Sequence, residues 1–142
     1  MILNTTYLDK EKKKLIIQKV GKSLPLWDSI FNTIRGSHRM IIDSYSSGFE
    51  GFLRKDNNIL YASIENRNLG IIVRISNNYE TISWLIPFYK LGIYKSRKFS
   101  IHSEGQYIKF RIDKNYIMNK KFISNMFELK VQYNNQYKAK IS

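Results

Sequence analysis

From Arg39 onward apolar and polar residues alternate in short bursts, and near Asn119 the apolar spacing lengthens to that of a helix. A period of two sends successive side chains to opposite faces of a strand, whereas a period near 3.6 makes one helical stripe. The alternation predicts strands at Met40–Ser46, Phe49–Arg54, Ile59–Glu65, Ile71–Ile75, Ile82–Phe88, Leu91–Tyr94, Phe99–His102 and Tyr107–Ile112. Between them, clusters such as Ser46-Ser47-Gly48, Asp56-Asn57-Asn58 and Asn77-Asn78 supply residues that accept turn geometry. Pro87, near the end of its strand, reads as an edge or a bend because proline cannot donate to a ladder.

The two flanks of this strand-rich region have a helical period. Phe122, Ile123, Met126, Phe127 and Leu129 predict the buried stripe of a helix over about Asn119–Tyr133, capped by Asn115 or Asn119, with the residues after Tyr133 fraying. Toward the N-terminus, Lys12-Lys13-Lys14 ahead of Leu15-Ile16-Ile17 reads as a solvated helix turn or exposed lead-in that Gly21 interrupts. A short helix is expected from Ser23 to Gly36, with Pro25 in its first turn and Trp27, Ile30, Phe31 and Ile34 on one apolar face. No repeat, low-complexity segment or linker divides the 142 residues. One domain is expected: an N-terminal helical segment at 1–36, an antiparallel β-barrel at 37–113, a closing helix at 114–134 and a frayed tail at 135–142.

About seven antiparallel strands with hairpin-length connections, sealed by one amphipathic helix, make an α+β fold: a small barrel or orthogonal sandwich whose helix covers the open end. Three stretches carry a family likeness. Gly51-Phe52-Leu53 followed by Ile59-Leu60-Tyr61 reads as a first hairpin. Trp84-Leu85-Ile86-Pro87-Phe88 followed by Lys90-Leu91-Gly92-Ile93 reads as a strand and the step into the next, and Tyr107–Ile112 followed by Phe122–Leu129 reads as the last strand and closing helix. In these the chain resembles the pleckstrin-homology-like (PH-like) superfold, including the bacterial PH and GRAM-type domains. The resemblance implies a binding module for peptides or phosphoinositides. The basic motif that the lipid-binding version spreads over the first hairpin is reduced here to Arg54-Lys55, followed by acidic Asp56. The N-terminal helix and the Met40–Ser46 strand lie outside the basic pattern.

Charge complicates this picture. The 24 Lys and Arg against 11 Asp and Glu leave a net +13, which fits an anionic partner such as nucleic acid or a membrane surface. It also fits A/T-rich codons, because Lys, Asn and Ile together make 51 of the 142 residues. Where the charge clusters is more informative. Alternation puts Tyr107, Lys109 and Arg111 on one face of the last strand. His102 faces the same side if its strand pairs there, and Lys95, Arg97 and Lys98 lie in or beside the preceding loop. A ring among cations is the composition that holds an anionic backbone while stacking on a base. The same lysines also serve as the solvated face of an edge hairpin.

Catalytic chemistry is poorly represented. The chain has no cysteine, so disulfides, thiolate metal sites and a cysteine nucleophile are excluded. His38 and His102 stand far apart outside any metal-ligand spacing, Gly21-Lys22-Ser23 lacks the upstream glycine of a phosphate loop, and Ser44–Gly51 lacks a nucleophile elbow. Glu50, Glu65, Glu80 and Glu104 are dispersed. Met1–Lys14 lacks the apolar stretch of a secretory signal, and no apolar run approaches a membrane span, so a cytoplasmic location is expected. The sequence points to a non-enzymatic module without cofactor or metal, whose partner is a protein or peptide met at a sheet edge or beside the closing helix. The alternative is an anion-binding module for nucleic acid or membrane phosphates.

Overall fold

Among residues 1–25, 34–53 and 58–141, which this computed structural model describes, every predicted strand but one is present. The elements are β1 (Ile2–Asn4), α1 (Lys10–Val20), β2 (Met40–Tyr45), β3 (Tyr61–Asn66), β4 (Gly70–Asn77) and β5 (Glu80–Pro87). They continue with β6 (Gly92–Lys95), β7 (Phe99–Ser103), β8 (Gln106–Phe110), α2 (Lys114–Met118) and α3 (Lys120–Ile141). The fold is α+β. All the strands join one open antiparallel sheet in the order β1-β5-β4-β3-β2-β8-β7-β6.

β2 is the corner of this sheet. Its first residues pair with β3 (Met40 with Ala62, Ile41 with Tyr61), and its later ones pair with β8 (Ile42 with Phe110, Tyr45 with Ile108). A register shift between Ile42 and Ser44 marks the change of partner, and a bulge at such a point bends the strand. The sheet as a whole must curl. Only four residues separate Pro87 of β5 from Gly92 of β6, a reach of about 18 Å at most. In a flat sheet those strands stand six spacings apart, or about 29 Å.

The concave face collects the core. Met40, Ile64, Ile71, Val73, Ile75, Trp84, Ile86, Phe99, Ile101, Ile108 and Phe110 are buried there together with Phe122, Ile123 and Met126 of α3. On the convex face α1 lays Ile16 and Val20 against Ile72 and Leu85 in a smaller second cluster. Asp9 caps α1 by accepting a hydrogen bond from the Lys12 amide at 2.8 Å, and Gly21 ends it with φ +82°. α1 is therefore a docked helix, with its lysines on the wet side.

Several expectations change. Of the segment read as the strand Phe49–Arg54, the described residues Phe49–Leu53 are instead a 3₁₀ turn at Ser47–Phe49 followed by a further turn, in which the Phe52 and Leu53 amides both donate to the Phe49 carbonyl. Phe49 and Leu53 are both buried; their spacing of four puts them on one side of a helical turn, and the alternation with Gly51 only mimicked a strand. Gly51-Phe52-Leu53 is therefore no strand of a hairpin with β3, which pairs with β2 and β4. β1 was not anticipated. β5 lies between β4 and β1, and Pro87 is its last residue, where the chain bends into a 3₁₀ turn at Phe88–Lys90.

At the C-terminal end Asp113 caps α2, accepting from the Asn115 and Tyr116 amides. Asn119 is buried at the boundary of α2 and α3, where its carbonyl accepts from the Ile123 amide, and its side chain acts as a staple: its Oδ1 accepts from the His38 amide and its Nδ2 donates to the carbonyls of His38 and Asn115. α3 continues to Ile141, through the stretch expected to fray, and Phe127 of the expected stripe is 44% exposed. Of the expected helix between Ser23 and Gly36, Trp27, Ile30 and Phe31 lie outside the described residues. Ser23 forms an isolated bridge to Arg67, and Gly36 one to Glu65. No described helix is long and apolar enough to cross a membrane.

Candidate functional site

The convex face divides into two parts. α1 packs on β4 and β5, while the face of β6, β7 and β8 carries polar and aromatic side chains to solvent. Register builds this surface rung by rung. Gly92, His102 and Tyr107 stand side by side on β6, β7 and β8; the next rung is Tyr94, Ser100 and Lys109, continued by Ser44 of β2.

Gly92 has no side chain, and the Tyr94 ring leans into the space. A Cβ at Gly92 would lie 3.0 Å from Tyr94 Cε2 and 3.5 Å from His102 Cβ. The ring thereby reaches His102 diagonally, edge to face, at 4.9 Å between centroids. His102 in turn lies 5.7 Å from the Tyr107 ring at a shallow tilt, and the Lys109 ammonium sits 5.1 Å above Tyr107. Three rings and a cation thus make a continuous row across three strands. Cation–ring contacts of this kind hold the long lysine side chain in place without an ion pair.

His102 Nε2 lies 3.0 Å from the hydroxyl of buried Ser100. Burial first, and the Lys109 charge second, hold the His102 pKa below its ordinary 6.5. The imidazole is therefore neutral near pH 7 and serves as a flat ring in the row. A shallow depression of about 280 Å³ opens beside it, between Tyr94, His102 and the β7–β8 turn at Glu104-Gly105.

The six residues singled out from the sequence separate in the structure. Tyr107 and Lys109 are in the row. Arg111 is exposed just past β8, its amide donating to the Ile41 carbonyl. Arg97 is exposed at the tip of the β6–β7 turn. Lys98 is committed to Asp43, at 3.2 Å. Lys95 stands opposite Phe99 in register, on the other face from Tyr94, with its ammonium 5.6 Å from the Tyr116 ring. The sequence reading grouped Lys95 with the others by proximity, and strand alternation separates it. It also passed over Tyr94, because the signal for that ring is the glycine two residues back, which means something only once β6 is paired with β7. Arg54 and Lys55 lie outside the described residues.

Other charged groups are held in local contacts. Lys90 pairs with Glu104 across the rim of the depression, raising the lysine pKa and lowering that of the carboxylate. Glu65 is gripped by Arg67 and Arg74, each at 2.6 Å. Among the described residues no three His, Asp or Glu side chains gather as a metal site. Away from the row, a groove of about 430 Å³ runs between the β3–β4 turn and α3, lined by Leu69, Leu129, Tyr133 and Tyr137 among others. No protein-family model, curated protein or solved structure matches this chain.

Proposed function

We propose that this protein is a non-enzymatic, PH-like interaction module that binds an anionic partner across the open convex face of β6, β7 and β8. One observation carries the reading: α1 covers the β4–β5 part of that face and leaves the Tyr94–His102–Tyr107–Lys109 row to solvent. The PH-like assignment is supported by two meanders, β2–β5 and β6–β8, joined where the corner strand β2 pairs with β8, with α3 packed into the concavity as a closing helix. On this reading the curled sheet is a partly closed barrel, and β1 and α1 are additions at its N-terminal side. A binding role is favoured over catalysis because His102 is stacked among tyrosines above a buried Ser100, and Glu65 is neutralised by two arginines.

The test is the salt concentration at which the protein leaves a heparin column. Lys109→Gln with Arg111→Gln is compared with Lys12→Gln with Lys13→Gln, which removes the same charge from α1. The face predicts a clearly larger drop for the first pair, because counterion release follows the charges in contact with the polyanion. Equal drops would mean the +13 acts as a diffuse cloud, and would remove this face as the site.

A protein or peptide partner is the second reading, and it has its own motif. Among the described residues β6 is an edge strand that pairs only with β7, so its outer backbone groups are available for an added strand. The α3 groove offers exposed Leu69 and Tyr137 nearby in the fold. Slowed amide exchange in Gly92–Lys95 on adding the partner would favour this route; unchanged exchange there would exclude it.

A further inference from the structure

The anion-binding reading leaves open what the anion is. We infer that the convex face is built for a single-stranded nucleic acid, whose bases stack on Tyr94 and its neighbours while its phosphates meet Lys109 and Arg111; this rests on the proposed function above.

A site for phosphate alone needs cations and amides, and rings add nothing to it. Here the most exposed member of the row is an aromatic: Tyr94 is 61% exposed. Its position is prepared, since Gly92 provides the bare backbone over which the ring lies. His102 and Tyr107 continue the row at 4.9 and 5.7 Å. Unpaired bases present π-faces of every sequence, so a row of rings binds them with little discrimination, whereas a duplex hides those faces in its stack.

The cations lie beyond the rings. Lys109 follows Tyr107 by two residues on the same face, and Arg111 follows Lys109 by two more. Neither is held in an ion pair among the described residues, whereas the two carboxylates at the borders of the face, Asp43 and Glu104, are each neutralised by a lysine. Past Arg111, across β2, the Arg39 guanidinium lies 4.5 Å from the ring of Tyr61 on β3. That second cation–ring pair extends the surface over four strand spacings from β6 to β3, about 19 Å. The result is a diagonal stripe of rings, cations, and then a ring and cation again. Charge complementarity selects a polyanion, and the alternation with rings selects one with exposed bases.

The experiment is a fluorescence-anisotropy titration of the full chain with labelled oligothymidylate, a duplex of equal length, heparin and phosphatidylserine vesicles. Oligothymidylate is expected to bind more tightly than the duplex. Tyr94→Ala should weaken it by about 5- to 150-fold, the range for loss of one stacking ring, while Tyr94→Phe retains binding. Tyr94 is largely exposed, so its variants fold, and an unchanged thermal midpoint checks this. Lys109→Gln should lower the log–log salt slope by about 0.7. Binding of heparin, duplex and single strand alike, with no effect of Tyr94→Ala, would overturn this inference and leave the anion-binding reading intact. Vesicle binding without oligonucleotide binding would also overturn it. Failure of every polyanion to respond to Lys109→Gln and Arg111→Gln would overturn both.

Discussion

The ring of Tyr94 lies over the bare backbone of Gly92, two residues back on the same strand face, and from there meets His102 on the neighbouring strand. Neither residue makes this contact alone. The glycine contributes absence of a side chain, and the antiparallel pairing of Gly92 with His102 brings the imidazole to where the displaced ring ends.

Gly92→Ala should therefore act on the surface row more than on the fold. The added Cβ would sit 3.0 Å from the tyrosine ring, which forces an exposed side chain to swing away. The expected stability loss is about 1 kcal/mol, the low end for overpacking, because solvent can receive the ring. Loss of the nuclear Overhauser contacts between Tyr94 and His102, with a thermal midpoint shifted by only a few degrees, is the outcome to look for.

His102 should make stability depend on pH in one defined window. Its folded pKa is below 6.5, through burial and then Lys109, so the unfolded chain takes up the proton first. The contribution is intact above about pH 6.5, declines as pH falls from there to the folded pKa, and levels off below it. Tyr94 and Tyr107 flank the imidazole, and the Lys90–Glu104 pair at the rim is close to neutral overall. His102→Gln should flatten urea-midpoint measurements across that window, and an unaltered slope would assign the pH dependence elsewhere.

Glu65→Gln tests the ionic clamp on the convex face. The carboxylate is buried and touches two guanidiniums, of which Arg67 is nearly buried and Arg74 about one-third exposed. Removing its charge leaves Arg67 unpaired in a poorly solvated place, so a loss of about 3 kcal/mol is expected. Chemical denaturation with an unchanged m-value would report it; a loss below about 1 kcal/mol would mean that water replaces the carboxylate.

Phe49→Ala should be more damaging than Phe52→Ala, although the two sit three residues apart. Phe49 is fully buried and meets the Trp84 indole edge to face at 5.0 Å, whereas Phe52 is 36% exposed. The expected costs are about 3–5 kcal/mol and about 1 kcal/mol respectively. Equal losses in the two thermal melts would mean that Phe52 is packed as tightly as Phe49.

The strands from β2 to β8 were legible because alternation is a property of neighbouring residues, and so was the C-terminal helix. The misreadings share one cause. Phe49-Glu50-Gly51-Phe52-Leu53 satisfies both a strand and a helical-turn pattern, and only burial against Trp84 and Tyr45 selects between them. Asn119 carries the residue type of a helix cap, but its side chain is taken up by His38, 81 positions away. Within the candidate face, Tyr107 and Lys109 could be found by alternation, whereas Tyr94 could not, since its partner glycine is informative only in register.

What the sequence determined by itself is the run of strands from β2 to β8 and the helix after them, the absence of cysteine chemistry and the sign of the charge. Each follows from residue identity or from spacing within a few positions, where covalent geometry links sequence directly to direction. The tertiary structure decided which strand is the corner, which part of the convex face α1 covers, and that Lys95 and Tyr94 part to opposite faces while Tyr94, His102 and Tyr107 come together. Those outcomes depend on hydrogen-bond register between strands distant in the chain. A shift of one residue would turn every side chain to the other face, so no local pattern can specify them.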